Sequence, residues 1–175
     1  MAKKKISVEF SQRGIEQLKK ELLDYKNTLQ YKVDLLAKTL AETGVDVARV
    51  NVARLDAIFT GELISSIHTE YGGSGNGTAI FYIVADSEHA AYVEFGTGQL
   101  GMEGGYPYPF PEGVDWQYNT GKTIFEVSPG QYGWFYKADN GQWYFTQGIP
   151  SRPFMYETSL DLMKLVVKIA KGVFK

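Results

Sequence analysis

The sequence has no cysteine, few histidines, no long apolar run and almost no net charge, and each shortage excludes a class of function. Without cysteine there are no disulfides, thiolate metal sites or thiol nucleophiles. The 18 Lys and Arg residues against 20 Asp and Glu residues give a formal charge of -2, which removes the general electrostatic basis for coating nucleic acid or a membrane surface. No apolar stretch approaches the ~20 residues that span a bilayer. We therefore expect a soluble, folded protein made in the cytoplasm, with no membrane partner and no specific nucleic-acid partner.

The sequence also has no recognisable catalytic or cofactor motif. His68 and His89 are the only histidines, and their spacing relative to Glu94 matches no metal-binding motif. The glycine-rich stretches 72–77 and 101–105 lack the spacing of nucleotide-binding loops. No Gly-x-Ser-x-Gly elbow is present. The sequence predicts no enzyme, no cofactor and no metal site.

Two stretches have apolar residues at every third or fourth position, which predicts two helices. The first runs from Ile15 to Leu40 and continues past Gly44 towards Asp56. The second opens at Pro153, a residue preorganised for the first position of a helix. Its predicted buried stripe consists of Leu160, Met163, Val167, Ala170 and Phe174.

Alternating and apolar runs predict a mostly antiparallel sheet between these helices. Residues 6–10 alternate as a short strand does. An extended run from Ile64 is expected to pair with 79–85 across a glycine-rich connection at 72–77. An Asn-Gly turn joins a second hairpin, made of 134–137 and 143–146. The predicted fold class is α+β, with a long N-terminal helix, a mostly antiparallel β-sheet and a C-terminal amphipathic helix in a single domain, 1–175.

Residues 98–132 are rich in glycine, proline and aromatic side chains and show little periodicity. We expect a long loop here, and loops beyond about 12–15 residues are usually functional or ordered by a partner. About half of the chain's clustered aromatic residues should pack in the core through cross-strand pairs. The rest suit a protein interface or, alternatively, a carbohydrate- or cell-wall-binding surface. The loop residues predicted for this interface are Tyr106, Tyr108, Phe110, Trp116 and Tyr118.

Two short stretches carry a family resemblance. Residues 90–98 read Ala-Ala-Tyr-Val-Glu-Phe-Gly-Thr-Gly, and 148–155 read Gly-Ile-Pro-Ser-Arg-Pro-Phe-Met before the final helix. Together with the long first helix and the Thr-Gly-Glu-Leu turn at 60–63, they resemble the signature stretches of the minor structural proteins that complete the tail and join head to tail in long-tailed bacteriophages. The resemblance assigns an interface or structural motif to Tyr92, Glu94, Phe95, Gly96, Thr97, Gly98, Arg152, Pro153 and Phe154.

The resemblance implies a virion protein of the neck or tail, present in the host cytoplasm during assembly and encoded by a phage or equally by a prophage. It implies a ring of the chain's own copies, hexameric to match the tail symmetry of the family, with DNA passing through. Its other partners would be tail terminator, tail tube or head connector proteins. Two further readings stay open: the carbohydrate- or wall-binding module, and a hydrolase built around Glu94 and His89.

The residue types inside the motif indicate a structural role. On a strand, Glu94 would point away from Val93 and Phe95 and accept hydrogen bonds from backbone amides or from Arg152. Gly96 stands where the chain is expected to turn sharply and where the absence of a Cβ matters. We therefore predict that Glu94 is structural rather than catalytic.

Overall fold

A computed structural model describes residues 7, 9–57, 61–103, 105–107, 109–114, 116 and 124–175. Over these residues the fold is α+β, as predicted, with long helices near both ends and antiparallel strands between them. None of the described helices is long and apolar enough to cross a membrane. The elements are α1 (Gln12–Arg54), α2 (Glu62–Ser66), β1 (Ile67–Gly75), β2 (Thr78–Ala85), α3 (Ala90–Phe95), α4 (Gly98–Glu103), β3 (Phe125–Ser128), β4 (Gln131–Lys137), β5 (Trp143–Thr146), β6 (Gly148–Ile149) and α5 (Phe154–Val173).

The chain divides into two compact units that are not continuous in sequence. Unit one comprises Met1–Val47, His68–Val84 and Leu160–Lys175, and unit two comprises Ala48–Ile67 and Ala85–Ser159. Both long helices contribute residues to each unit. The single domain expected from chain length stays a prediction.

Most buried apolar side chains belong to unit two. They include Val52, Ile67, Trp134 and Phe154. Among the described residues of unit one, the buried apolar side chains are Ala41 and Val45. Unit one therefore leaves much of its apolar surface exposed.

Helix α1 confirms the long helix that the periodicity predicts. Gly44 does not end it: a Cβ at this position would collide with the side chain of Ile83 and lie 3.0 Å from Leu162. The glycine thus allows β2 and α5 to approach the helix closely within unit one. The helix ends at Arg54, and Asp56 follows with a φ of 52°.

The first hairpin is longer than predicted. Strand β1 runs on through Gly75, so the glycine-rich stretch 72–75 is strand rather than connection. The turn itself is Asn76-Gly77, with φ values of 52° and 81°. Positive φ at both central residues is the type I′ geometry that matches the twist of paired strands, and two residues suffice to close it.

Two other strand predictions are wrong or fall partly outside the described residues. Residues 64–66 belong to the short helix α2, and the strand begins only at Ile67. In the predicted strand 6–10, Ser7, Glu9 and Phe10 are not in a strand, while Ile6 and Val8 lie outside the described residues. Thr60 of the 60–63 turn lies outside them as well.

The predicted stripe of helix α5 is only partly buried, since Leu160, Ala170 and Phe174 are half-buried but its two middle residues are not. Phe154 and Thr158 are buried and Leu162 is half-buried, whereas Met163 and Val167 are exposed. The helix carries two apolar stripes, so periodicity alone could not decide which of them faces the core. Pro153 also lies immediately before the helix rather than at its first position, and its carbonyl accepts a hydrogen bond from the Glu157 amide at 3.0 Å.

The second sheet has three strands in the order β3-β4-β5. Its β4–β5 hairpin is the predicted one, with Trp134 opposite Thr146 and Lys137 opposite Trp143. Gly141, with a φ of 79°, closes the turn. Strand β3 and helix α4 both fall inside the predicted loop 98–132, so that expectation is wrong for these two segments. Each is too short to leave a periodic signal.

Candidate functional site

The two motif stretches lie side by side in unit two. Thr97 pairs with Ile149 and Gly98 with Gly148 in antiparallel bridges. The Ile149 amide donates to Thr97 Oγ1 at 3.1 Å, and the amide of Arg152 donates to the Val93 carbonyl at 2.8 Å. We call this arrangement of residues 92–98 and 148–156 the motif junction. It joins two segments that are 52 residues apart in sequence.

Glu94 connects the two segments through its carboxylate. Oε2 accepts a hydrogen bond from the amide of Met155 at 2.8 Å, and Oε1 accepts one from the amide of Tyr156 at 3.0 Å. Both amides belong to the first turn of α5, where backbone N–H groups have no partner within the helix and where negative charge is favourable. Glu94 therefore caps a helix that begins 60 residues after it in the sequence.

This geometry confirms one expectation for Glu94 and corrects another. The bonds to backbone amides are as predicted, but Glu94 lies on helix α3 rather than on a strand. Its side chain is 6% exposed. In the described part of the chain no ion pair joins it to Arg152. The two amides already occupy both carboxylate oxygens, and Arg152 takes part in the junction through its backbone.

The polar groups around Glu94 are also satisfied internally. Ser151 Oγ donates to the Glu94 carbonyl at 2.6 Å. Thr158 Oγ1 donates to the Phe154 carbonyl at 2.6 Å and accepts from Asn51 Nδ2 at 3.2 Å. Among the described residues, no buried side-chain nitrogen or oxygen lacks a hydrogen-bond partner. A fully satisfied buried network of this kind holds elements in one arrangement and leaves no group directed at a ligand.

Burial sets the protonation behaviour of Glu94. Desolvation raises the pKa of its carboxyl above the ordinary value, and the bonds from Met155 and Tyr156 lower it by less. A group whose pKa is higher in the folded chain than in the unfolded chain stabilises the fold fully below its unfolded pKa. That contribution is lost as the pH rises through the folded pKa. Ionisation of Glu94 thus works against folding.

A Glu94→Gln variant tests this assignment. Glutamine accepts only one of the two amide bonds and turns its NH2 group towards the other, so the variant should be less stable than the wild type. The difference in free energy of unfolding between the wild type and the variant should be largest at acid pH. It should become smaller as the pH rises, because ionisation of Glu94 destabilises only the wild type. Urea unfolding from about pH 4 to about pH 8 measures it.

The exposed Glu88 supplies the matched control, since Glu88→Gln should leave stability nearly unchanged across the same pH range. A stability difference that widens with pH would show that the amide bonds outweigh burial, contrary to the raised pKa.

Gly96 is required by the backbone geometry, as the motif predicted. It has φ 76° and ψ 174°, a region that is essentially restricted to glycine. A Cβ here would lie 2.7 Å from both the Gly101 Cα and the Ser151 nitrogen. Gly148 is under a similar constraint, because its φ is 96° and a Cβ would collide with the Thr97 carbonyl oxygen. Both glycines allow the two segments to come into backbone contact.

The described loop aromatics pack onto the motif. The ring centroids of Tyr106, Phe110 and Trp116 lie 4.9, 5.6 and 5.2 Å from that of Phe95. Trp116 Nε1 donates to the Gly96 carbonyl at 3.0 Å, and its ring lies 5.7 Å from Tyr92. These rings therefore contribute to packing within the chain, and Tyr106 is buried. The other predicted interface residues, Tyr108 and Tyr118, lie outside the described residues.

Gln99 is a member of the site that sequence reasoning missed. Its Oε1 accepts from the Tyr132 amide at 2.8 Å and from Gln147 Nε2 at 3.0 Å. Its Nε2 donates to the Gly130 carbonyl at 2.8 Å and to Glu103 Oε1 at 2.7 Å. One side chain thus ties α4 to the β3–β4 turn and to the segment before β6. The only sequence signal was its position directly after the Gly-Thr-Gly motif.

An open cavity of about 870 Å³ lies beside the junction, lined by motif residues 95–98 and by the rings of Tyr106, Trp116 and Trp134. Of the two histidines, His68 bonds to Glu70 at 3.2 Å, and the ring of His89 lies 6.4 Å from that of Tyr92. Within the described ranges, no three His, Asp or Glu side chains are grouped so that they could hold a metal ion.

The contacts of the motif junction hold two segments of the chain together. Its central carboxylate is occupied by amides, its glycines admit close backbone contact, and its aromatic rings pack against one another. Comparisons of the chain with protein-family models, with curated proteins and with solved structures found no match.

Proposed function

We propose that this chain is a structural protein of the bacteriophage virion that completes the tail or joins it to the head. It would act at the neck by assembling with its own copies and by contacting tail terminator, tail tube or head connector proteins. The motif junction is the observation that carries this proposal. The two stretches that resemble the phage signature are distant in sequence, yet they pack together through Glu94 and paired backbone.

The environment of Glu94 supports a structural protein over a hydrolase. A catalytic carboxylate must come within hydrogen-bond reach of a substrate proton. Both oxygens of Glu94 are instead held by the amides of Met155 and Tyr156, and the side chain is buried. The carboxylate therefore has a complete role in fastening α3 to α5.

Exposed rings on the three-stranded sheet support assembly with other proteins. Phe125, Phe135 and Phe145 form a ladder across the strands, with ring centroids 6.1 and 5.3 Å apart. Phe125 and Phe135 are exposed, and so is Trp143 on the edge strand β5. Aromatic side chains are enriched in protein interfaces, where they supply large contact areas.

The carbohydrate alternative receives less support from the loop that suggested it. Tyr106 is buried, and the indole N–H of Trp116 is already bonded to the Gly96 carbonyl. A sugar-stacking surface needs rings with an accessible face. Tyr106 and Trp116 instead contribute to packing at the motif junction.

The test is the mass of the purified chain in solution over a range of concentrations, measured by light scattering, alone and with assembled tail tubes. We expect rings, or binding restricted to tube ends. Tubes whose ends are already closed by a terminator protein serve as the control and should bind none. A strict monomer that ignores open tube ends would contradict the proposal, and retention on a carbohydrate matrix by that monomer would favour the alternative.

A further inference from the structure

The first eighteen residues of α1, 12–29, have no buried side chain. All of them are exposed except Gly14, Leu18 and Glu21, which are intermediate. The side-chain bonds formed along this segment stay within it or reach the adjacent Ser11. The next residue, Gln30, bonds to Gly77 and Thr78 of the first hairpin at 2.8 and 2.9 Å. Most of the stability of a helix in a protein comes from packing of its apolar face, so a partner on this segment would stabilise it.

An apolar seam runs along this exposed segment. It consists of Ile15, Leu18, Leu22, Tyr25 and Leu29, spaced alternately by three and four residues. This is the a and d pattern of a two-stranded coiled coil, whose mean period of 3.5 residues keeps one narrow stripe facing a partner helix. Four of the five side chains are between 40% and 53% exposed. The seam therefore suits another helix rather than a flat surface.

The charges beside the seam indicate which helix. With Ile15 at position a, Glu21 falls at g, and Lys19 and Lys26 fall at e. In a parallel pair in register, a g residue lies opposite the following e residue of the other helix, so Glu21 meets the second copy's residue 26, a lysine. In an antiparallel pair e faces e, which sets lysine against lysine. The seam is thus complementary to itself in the parallel orientation.

We propose that residues 12–29 of α1 form a parallel coiled coil with the same segment of a second copy of this chain. Such an in-register pair is two-fold symmetric and joins copies in twos, so a larger ring would also need a second, head-to-tail contact. The inference rests on the self-association contained in the proposed function, but not on its assignment to the phage neck. It names one surface through which two copies meet.

The absence of native cysteine allows a direct test by disulfide formation. Leu22→Cys places a thiol at position a, where two helices in parallel register bring the Cβ atoms close enough to bond. Asn27→Cys, at the exposed position f on the other face of the helix, is the matched control. Under mild oxidation we expect roughly tenfold more covalent dimer from the first variant. Equal yields from the two variants would overturn the proposal.

A second pair of variants distinguishes parallel from antiparallel pairing of the two helices. In an antiparallel pair Ile15 would meet Tyr25, so mixing Ile15→Cys chains with Tyr25→Cys chains would yield mainly mixed dimers. In the parallel pair each variant cross-links with its own kind. A predominance of mixed dimers would overturn the parallel arrangement.

Charge reversal tests the same pairing without cross-linking. Glu21→Lys should weaken self-association about fivefold in sedimentation equilibrium, and Glu21→Lys with Lys26→Glu should restore it. If neither the disulfide yields nor the effects of the charge variants are as expected while the chain still binds tube ends, the coiled coil is wrong and the neck assignment stands. If both behave as expected and tube ends are ignored, the coiled coil stands without that assignment.

Discussion

Replacing Glu94 with alanine should lower the free energy of unfolding by about 3 kcal/mol, because the change leaves two part-buried amide donors of α5 without their acceptors. Each unsatisfied buried donor costs about 1–3 kcal/mol, and loss of a helix cap alone costs about 1 kcal/mol. For a chain of this size the midpoint of thermal unfolding should fall by roughly 6–12 °C. Calorimetry or circular dichroism on heating measures the shift.

The same substitution at the exposed Glu88 is the control for removing a carboxylate near α3. Glu88→Ala should change the free energy of unfolding by no more than about 0.5 kcal/mol. A Glu94→Ala protein as stable as this control would mean that the carboxylate does not hold the two segments together.

The second large effect is expected at Gly96. Gly96→Ala should cost about 4 kcal/mol, because alanine is strained in this backbone region by about 1–3 kcal/mol and its methyl group would also press on backbone atoms of Gly101 and Ser151. Neither of these neighbours can move as a flexible side chain would. We expect a large fall in the urea midpoint and a low yield of folded protein.

Gly141 provides a control with nearly the same backbone φ, 79° against 76°. Among the described residues other than its two chain neighbours, none has an atom within 4 Å of the Cβ that an alanine would add there. Gly141→Ala should therefore show the strain of a positive φ alone, about 1 kcal/mol. If Gly96→Ala and Gly141→Ala lower the free energy of unfolding by the same amount, the close contact at Gly96 contributes nothing to the effect.

Features with a long or repeated signal could be predicted from the sequence. Helix α1 has 43 residues of regular periodicity, and the β4–β5 hairpin has aromatic strands around an Asn-Gly turn. Their positions in the structure agree with the prediction. The turn at Gly96 and the amide bonds of Glu94 could also be predicted, since they follow from the chemistry of those residue types.

The predictions that were wrong concern features that depend on tertiary contacts. The six residues Ala90–Phe95 form about one and a half helical turns, which is too short for periodicity to distinguish from a strand. The strand predicted at Glu94 is therefore wrong. On α5 the choice between the Leu162 and Met163 stripes depends on which neighbours are present. The four bonds of Gln99 come from elements that sequence alone could not bring together.

The capping of α5 by Glu94 has a consequence for how unit two opens. The ends of a helix ordinarily fray, and their amide hydrogens exchange with water faster than those in the middle. The amides of Met155 and Tyr156 are instead closed by a side chain 61 and 62 residues away. They are released when the Glu94 carboxylate leaves the start of α5, as it does when α3 separates from that helix. The first amides of a free helix are the least protected from exchange. Slow hydrogen exchange at the beginning of α5 would therefore indicate that this end opens together with the rest of unit two.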